Sequence, residues 1–226
     1  MKFDRTLSVH QHQYVQSKTE KASIFLHHLA GTTQGSVSWW NNTKDRVATH
    51  FIISRDGTIH QLFPLDNWAF HLGVKGDNNW HERHSIGIEL ESYGGLVYHD
   101  KAYCAKLGST YRKLPNTETI ILPEEWRGYR AFHKYTEEQC KSVQELLEWL
   151  WLDSDFENLL PQPKLGKWWE YDKLLIHQKK SGIYSHTTVR PDKSDIYPDT
   201  ELLKAVKAAH TKARKVLKNA PSKTGK

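Results

Sequence analysis

Cysteine and methionine are scarce in this 226-residue chain, at two and one. Cys104 and Cys140 lie far apart and lack metal-ligand spacing. Neither a disulfide scaffold nor a cysteine-based metal knuckle therefore organises the fold, and both thiols are expected reduced, with Cys140 on the buried face of a helix. No apolar run is long enough for a transmembrane span. The N-terminal stretch MKFDRTLSVHQHQYVQSKTEK has no apolar h-region, so no Sec signal peptide is read and the product is expected to stay in the cytoplasm that makes it, unless another route releases it. Internal repeats and interdomain linkers are missing too. Acid is scarce at the C-terminal end, where Glu201 to Lys226 carries eight Lys or Arg against one acid. That density suits an anionic partner, but the segment contains no aromatic residue. A nucleic-acid platform interleaves the two, so nucleic acid is not the expected partner.

What is present is a globular composition. Hydrophobic residues make up 38% and there are nine tryptophans, which excludes disorder. The length suits one well-cored domain, and a monomer is expected. SIFLH (23–27) reads as a buried strand ending in histidine, and the tryptophan-bearing GTTQGSVSWWNNTKDR as loop and short helix. In THFIISRDGTIHQLF, two β-rich runs flank Asp56-Gly57, a hairpin signal. SIGIELE (85–91) alternates, with Ile86, Ile88 and Leu90 on one face and Gly87, Glu89 and Glu91 on the other. From Gly94 to Lys134 the pattern dissolves and reads as an insertion. Thr136-Glu-Glu-Gln139 is a capping box opening a helix with the stripe Cys140, Val143, Leu147, Leu150 and Trp151. Tyr197-Pro-Asp-Thr caps a last helix with the stripe Leu202, Val206, Ala209, Ala213 and Val216. The expectation is a single α/β domain, a central mixed sheet flanked by helices over 1–200, followed by a basic helix and tail over 201–226.

Fourteen histidines make any one of them unremarkable. His10, His12, His99, His133 and His210 are assigned to solvent. His27 differs, because a histidine closing an apolar strand needs a hydrogen-bond partner or a metal. With His186 and Asp195, from SHTTVRPDKSD, it makes two imidazoles and one carboxylate, which leaves a fourth tetrahedral position open as in catalytic zinc sites. Spacing alone does not bring His27 to the other two. His28 competes with His27, His177 with His186, and Glu91 with Glu89 as a nearby base.

Five motifs in one order, FLHHLAG, RVATHFIISRDGTIHQLF, WAFHLG, SIGIELES and SHTTVRPDKSDIYPD, resemble the zinc N-acetylmuramoyl-L-alanine amidases. This group includes phage amidase-type lysozymes, AmpD-type recycling amidases and peptidoglycan recognition proteins. The resemblance covers roughly Ser23 to Asp195 outside the Gly94–Lys134 stretch, which is atypical of the family. It implies zinc bound by His27, His186 and Asp195, with Glu89 as acid–base and Lys193 as oxyanion stabiliser. The reaction implied is hydrolysis of the amide between the lactyl group of N-acetylmuramic acid and L-alanine. This chain has one residue fewer between His186 and Lys193 than the AmpD-type pattern, yet keeps Lys-x-Asp. It has neither the third-ligand cysteine nor the tyrosine that some phage members carry. His50, Trp68 and His71 are expected to line or buttress the groove, and Trp39 and Trp40 to stack on substrate or fill the core. A phage or prophage endolysin is the leading expectation, its basic tail drawn to the anionic envelope. A cytoplasmic anhydro-muropeptide recycling amidase and a non-catalytic recognition protein are the alternatives.

Overall fold

In a computed structural model, which describes residues 1–154, 156, 159 and 169–219, β1 (Ser23–His28) runs through the middle of the molecule. Its Ile24, Phe25 and Leu26 are fully buried although they point to opposite faces. That double burial belongs to a strand with parallel neighbours and cover on both sides. Next comes α1 (Thr33–Asn42), capped by the Thr32 hydroxyl, which accepts the Gly35 N–H. β2 (Phe51–Ile53) and β3 (Ile59–Gln61) form the expected hairpin, with Gly57 at φ +85° in its turn. A short α2 (Trp80–Arg83) leads into β4 (Ser85–Leu90).

The stretch read as a patternless insertion forms a second sheet. It comprises β5 (Gly95–His99), β6 (Ala102–Leu107), β7 (Thr110–Lys113), β8 (Thr119–Trp126) and β9 (Tyr129–His133), all antiparallel in the order β7-β6-β5-β9-β8. Its tight turns use pairs outside the Asn-Gly signal. Asp100-Lys101 and Arg127-Gly128 hold both residues at positive φ, as type I′ turns require, while Gly108 alone does so ahead of Ser109.

The chain continues through α3 (Glu137–Leu152), α4 (Lys173–Gln178), β10 (Gly182–Ser185), α5 (His186–Val189) and α6 (Thr200–Asn219). The capping box at Thr136 and Gln139 is formed, and the whole expected stripe of α3 is buried. Both cysteines are free and buried. The main sheet has the order β10-β1-β4-β2-β3, parallel except for β2 with β3. One face carries Ile24, Leu26, Ile86, Ile88 and Leu90 against α3 and α6 in the main core. The other carries His27 beside Glu89, which are register partners on β1 and β4.

The helix within 201–226 packs on α3 and adds Leu202, Val206, Ala209 and Ala213 to the main core. Two assignments change. Val216 is 47% exposed, because the last turn of α6 extends beyond that core. His133 is buried rather than solvated. It stacks on Tyr93, its Nδ1 accepts the Tyr93 N–H and its Nε2 faces the Glu118 carboxylate. No helix among the described residues is long and apolar enough to cross a membrane.

Gln139 ties α3 to the main sheet. Its Oε1 accepts the Thr136 N–H, and its Nε2 donates to the carbonyls of Ile53 and Glu91 at 3.0 Å each. Replacing it by alanine takes a donor from both carbonyls, of which Ile53's still accepts the Glu91 N–H at 2.9 Å while Glu91's loses its side-chain partner, and removes half a cap. Gln139→Ala should therefore cost about 2–4 kcal/mol in urea unfolding, against about 1 kcal/mol for Thr136→Ala. Equal losses would mean that the capping box alone anchors the helix.

Candidate metal centre and active site

Three side chains from separate segments meet at the end of β1. His27 Nδ1 lies 3.0 Å from Asp195 Oδ2 and 3.2 Å from His186 Nδ1, and His186 Nδ1 is 3.1 Å from Asp195 Oδ2. All three residues are buried. His186 is brought there by the switch from β10 into α5. Asp195 arrives after the 190–193 turn, whose main chain is tied back by the Thr187 N–H to the Asp195 carbonyl at 3.0 Å.

The hydrogen-bond chain behind the imidazoles fixes their tautomers. Ser85 donates its only hydroxyl proton to the His81 carbonyl at 2.5 Å, so it accepts from His71 Nε2 at 2.9 Å. His71 Nδ1 is then a bare acceptor and takes the His27 Nε2–H at 2.9 Å. His186 Nε2–H donates to the Leu72 carbonyl at 2.8 Å. In the neutral rings both Nδ1 lone pairs consequently point at each other and at Asp195 Oδ2. Burial holds His27 down to about 4, with His186 opposing its charge and Asp195 favouring it. Burial likewise drives His71 well down. Burial works against the Asp195 charge, but a proton on either facing imidazole outweighs it and holds the carboxyl well below its usual range. Three acceptors this close repel one another unless a cation sits between them. Ligand atoms about 2.0–2.1 Å from a tetrahedral zinc are roughly 3.3 Å apart, so the triangle fits such an ion.

Strand alternation separates the two candidate histidines. His28 faces the opposite side of the sheet, where its Nδ1 contacts the Tyr135 hydroxyl at 3.1 Å. The His177 side chain lies outside the described residues. Glu89 is buried beside His27, and its Oε2 has no hydrogen-bond partner. Burial raises its pKa well above the usual range, the Asp195 carboxylate raises it further and Lys193 opposes both. Glu91 is engaged elsewhere and accepts from the Thr33 hydroxyl at 2.8 Å. A cleft of about 340 Å³ opens on Glu89 and His71 and reaches Trp39 on α1.

His71 thus both buttresses His27 and lines this cleft. His50 does not line it: its Nδ1 accepts the Gly87 N–H and its Nε2 faces the Asn67 carbonyl, pinning β4 to the 64–67 loop. Trp68 does not line it either, and packs by Phe70 and the Arg83 guanidinium. Trp40 is core, while Trp39 is 57% exposed. Sequence reasoning missed Glu82. Its buried carboxylate collects the N–H groups of His71, Leu72 and Gly73 at 2.7–3.2 Å and so holds the loop whose carbonyl orients His186. In WHERH nothing distinguishes it from a surface acid.

A family model described as N-acetylmuramoyl-L-alanine amidase matches residues 18–198. The 1,6-anhydro-N-acetylmuramyl-L-alanine amidase AmpD of Salmonella typhimurium (strain SL1344) is 44% identical over 63 residues, 26% of this chain and 32% of that protein. N-acetylmuramoyl-L-alanine amidase A of Achromobacter lyticus is 30% identical over 77 residues, 34% of this chain and 40% of that protein. The chain therefore matches less than half the length of either relative. The solved structure of PlyL superposes with a TM-score of 0.46 at 11% identity, covering 91% of this chain and 97% of that one.

Second-layer partners of ligating histidines are worth about 10–100-fold in metal affinity. Ser85→Ala, which touches no ligand, should weaken zinc binding by that order in chelator competition. An unchanged affinity would show that the tautomer chain does not tune the centre.

Proposed function

The chain belongs to the N-acetylmuramoyl-L-alanine amidase family, and we propose that it hydrolyses the amide joining the lactyl group of N-acetylmuramic acid to L-alanine, using zinc held by His27, His186 and Asp195. The observation that carries this reading is the close triangle of two imidazole nitrogens and a carboxylate oxygen beside the unpartnered Oε2 of Glu89 on the adjoining strand. Zinc in such a site supplies Lewis acidity toward the carbonyl and the attacking water.

The remaining steps belong to the chain's own side chains. Glu89, kept free of hydrogen bonds and poised by burial toward a raised pKa, accepts the proton of the attacking water and returns it to the leaving amine. Lys193, whose charge reaches Glu89, stabilises the oxyanion. Its turn is held on both sides. Arg190 bonds the carbonyls of Leu72 and Gly73 and pairs with Asp192, while Arg127 of the second sheet donates to the Pro191 carbonyl.

Within the family we favour an endolysin acting on intact wall. This is supported by the outer face of α6, where Lys207, Arg214, Lys215 and Lys218 offer a basic strip to an anionic envelope, while Lys204 and Lys212 pair with Glu201 and Glu148. The recycling reading, cleavage of soluble anhydro-muropeptides, is favoured by the identity to AmpD. Digesting purified sacculi and anhydro-muropeptides in parallel, with mass spectrometry of the products, separates the two. L-alanine-terminated peptides released from sacculi support the first, and release from anhydro-muropeptides alone supports the second.

Neither Glu89 nor Lys193 is a proposed ligand, so Glu89→Gln and Lys193→Ala should keep zinc and fold. Glu89→Gln should lose about 10²–10⁴-fold in turnover, and Lys193→Ala on the order of 10²–10³-fold. Glu91→Gln should stay within about tenfold of wild type on the same scale. Full turnover in both Glu89→Gln and Lys193→Ala would overturn the mechanism even with zinc bound. For the metal, elemental analysis should find about one zinc per chain in His28→Ala and none in His27→Ala; the reverse would shift the ligand by one position.

A further inference from the structure

The second sheet has a seated half and a projecting half. Phe132, Ile120 and Leu122 of β9 and β8 pack with the main core, whereas every residue from Lys106 to Lys113, across β6, its turn and β7, is exposed. A hairpin that covers no core has no packing use for a large ring. Tyr111 is nevertheless there, 43% exposed and stacked on the His99 imidazole with centroids 3.9 Å apart. Register sets two lysines beside that pair. Lys106 is the cross-strand partner of Tyr111 and Lys113 that of Cys104, and strand alternation puts both lysines on the same face as the two rings. The one acid between Gly95 and Pro115 is Asp100, which sits in the turn and faces His99 Nε2 at 3.3 Å. Neither Lys106 nor Lys113 pairs with a carboxylate among the described residues. Arg112 lies on the other face, where it donates to the Tyr93 hydroxyl.

Two unpaired ammonium groups beside an exposed ring fit an anionic chain whose repeat also offers C–H surface. A lysine ammonium is a compact point charge suited to phosphate, whereas a planar carboxylate is matched by an arginine fork, and the hairpin's single arginine is engaged elsewhere. A nucleic-acid strand stacks successive bases on separate rings, but here His99 and Tyr111 are stacked on each other. We propose that this face of the β6–β7 hairpin docks a phosphodiester-linked glycopolymer attached to the wall. Lys106 and Lys113 meet its phosphates and Tyr111 its sugar or polyol carbons. These residues line neither the cleft nor the acceptor triangle, so the hairpin anchors the enzyme without entering the chemistry. This assignment rests on the amidase reading for its choice of polymer, and gives the second sheet a ligand of its own.

Cosedimentation in the cold with two preparations of purified sacculi tests this. One retains the phosphodiester-linked polymer, and the other is stripped of it with hydrofluoric acid. Wild type should bind the first about tenfold or more tightly than the second, the scale of two exposed lysines on an anionic surface, and Lys106→Ala/Lys113→Ala should lose most of that difference. Tyr111→Ala should cost about fivefold, as for a contacting tyrosine. Melting temperature, oligomeric state and kcat/KM on a soluble N-acetylmuramoyl-L-alanyl peptide should be unchanged in both variants. Equal binding of wild type to the two preparations, or of wild type and the double variant to the first, would overturn the proposal. Variants that self-associate with binding unchanged would also sink it, since the lysines would then only guard the β7 edge. So would tighter binding to a single-stranded oligonucleotide that the same variants lose. The assay needs no turnover. A protein that cleaves neither preparation yet keeps the lysine-dependent preference loses the amidase reading alone, and one that cleaves both without the preference loses the docking face alone.

Discussion

Two imidazole nitrogens and a carboxylate oxygen, all acceptors when the rings are neutral Nε2–H tautomers, are held 3.0–3.2 Å apart in a buried place. Left alone, that arrangement is repulsive, since each lone pair faces another in a medium of low polarity. It persists because the surroundings fix every partner from behind. The run from Ser85 through His71 to His27, and the Leu72 carbonyl on His186, spend each ring's only N–H away from the centre. A cation turns the repulsion into the strongest local attraction. Much of the nearby architecture follows from keeping the triangle intact.

Several elements far apart in sequence serve that end. The Glu82 carboxylate gathers three consecutive N–H groups and fixes the 71–73 loop that both imidazoles lean on. Two residues after Asp195, Tyr197 is stacked between Phe132 of β9 and Tyr135 at ring separations of 4.5 and 4.8 Å. The second sheet therefore reaches the ligand segment twice, through this stack and through Arg127 on Pro191. What read as an insertion on one face is also a brace behind the third candidate ligand.

The legible parts of the sequence were those with a local rule behind them. SIFLHH and SIGIEL are short apolar runs bounded by polar residues, and both are interior strands. Thr136 and Gln139 carry a capping signature that needs no tertiary information. The cluster of His27, His186 and Asp195 was legible as one site only by resemblance, because His27 and Asp195 are 168 residues apart and the parallel β10-β1-β4 arrangement joins them. The second sheet escaped notice because its strands are short, half-exposed and joined by Asp-Lys and Arg-Gly turns. Glu82 and His133 escaped because burial of a polar side chain is decided by partners that the local sequence does not reveal. Val216 failed for the opposite reason: its spacing is right, but the core ends before it.

The most direct measurement is long-range ¹H–¹⁵N correlation NMR of the imidazoles, in metal-free protein and after zinc addition. His27 and His186 are expected to carry their ring proton on Nε2, with zinc moving their Nδ1 signals and leaving His28 unmoved. An Nδ1–H tautomer lacking the Nε2 proton at either His27 or His186, or Nδ1 signals that ignore zinc, would contradict the acceptor triangle on which the rest of the structure depends.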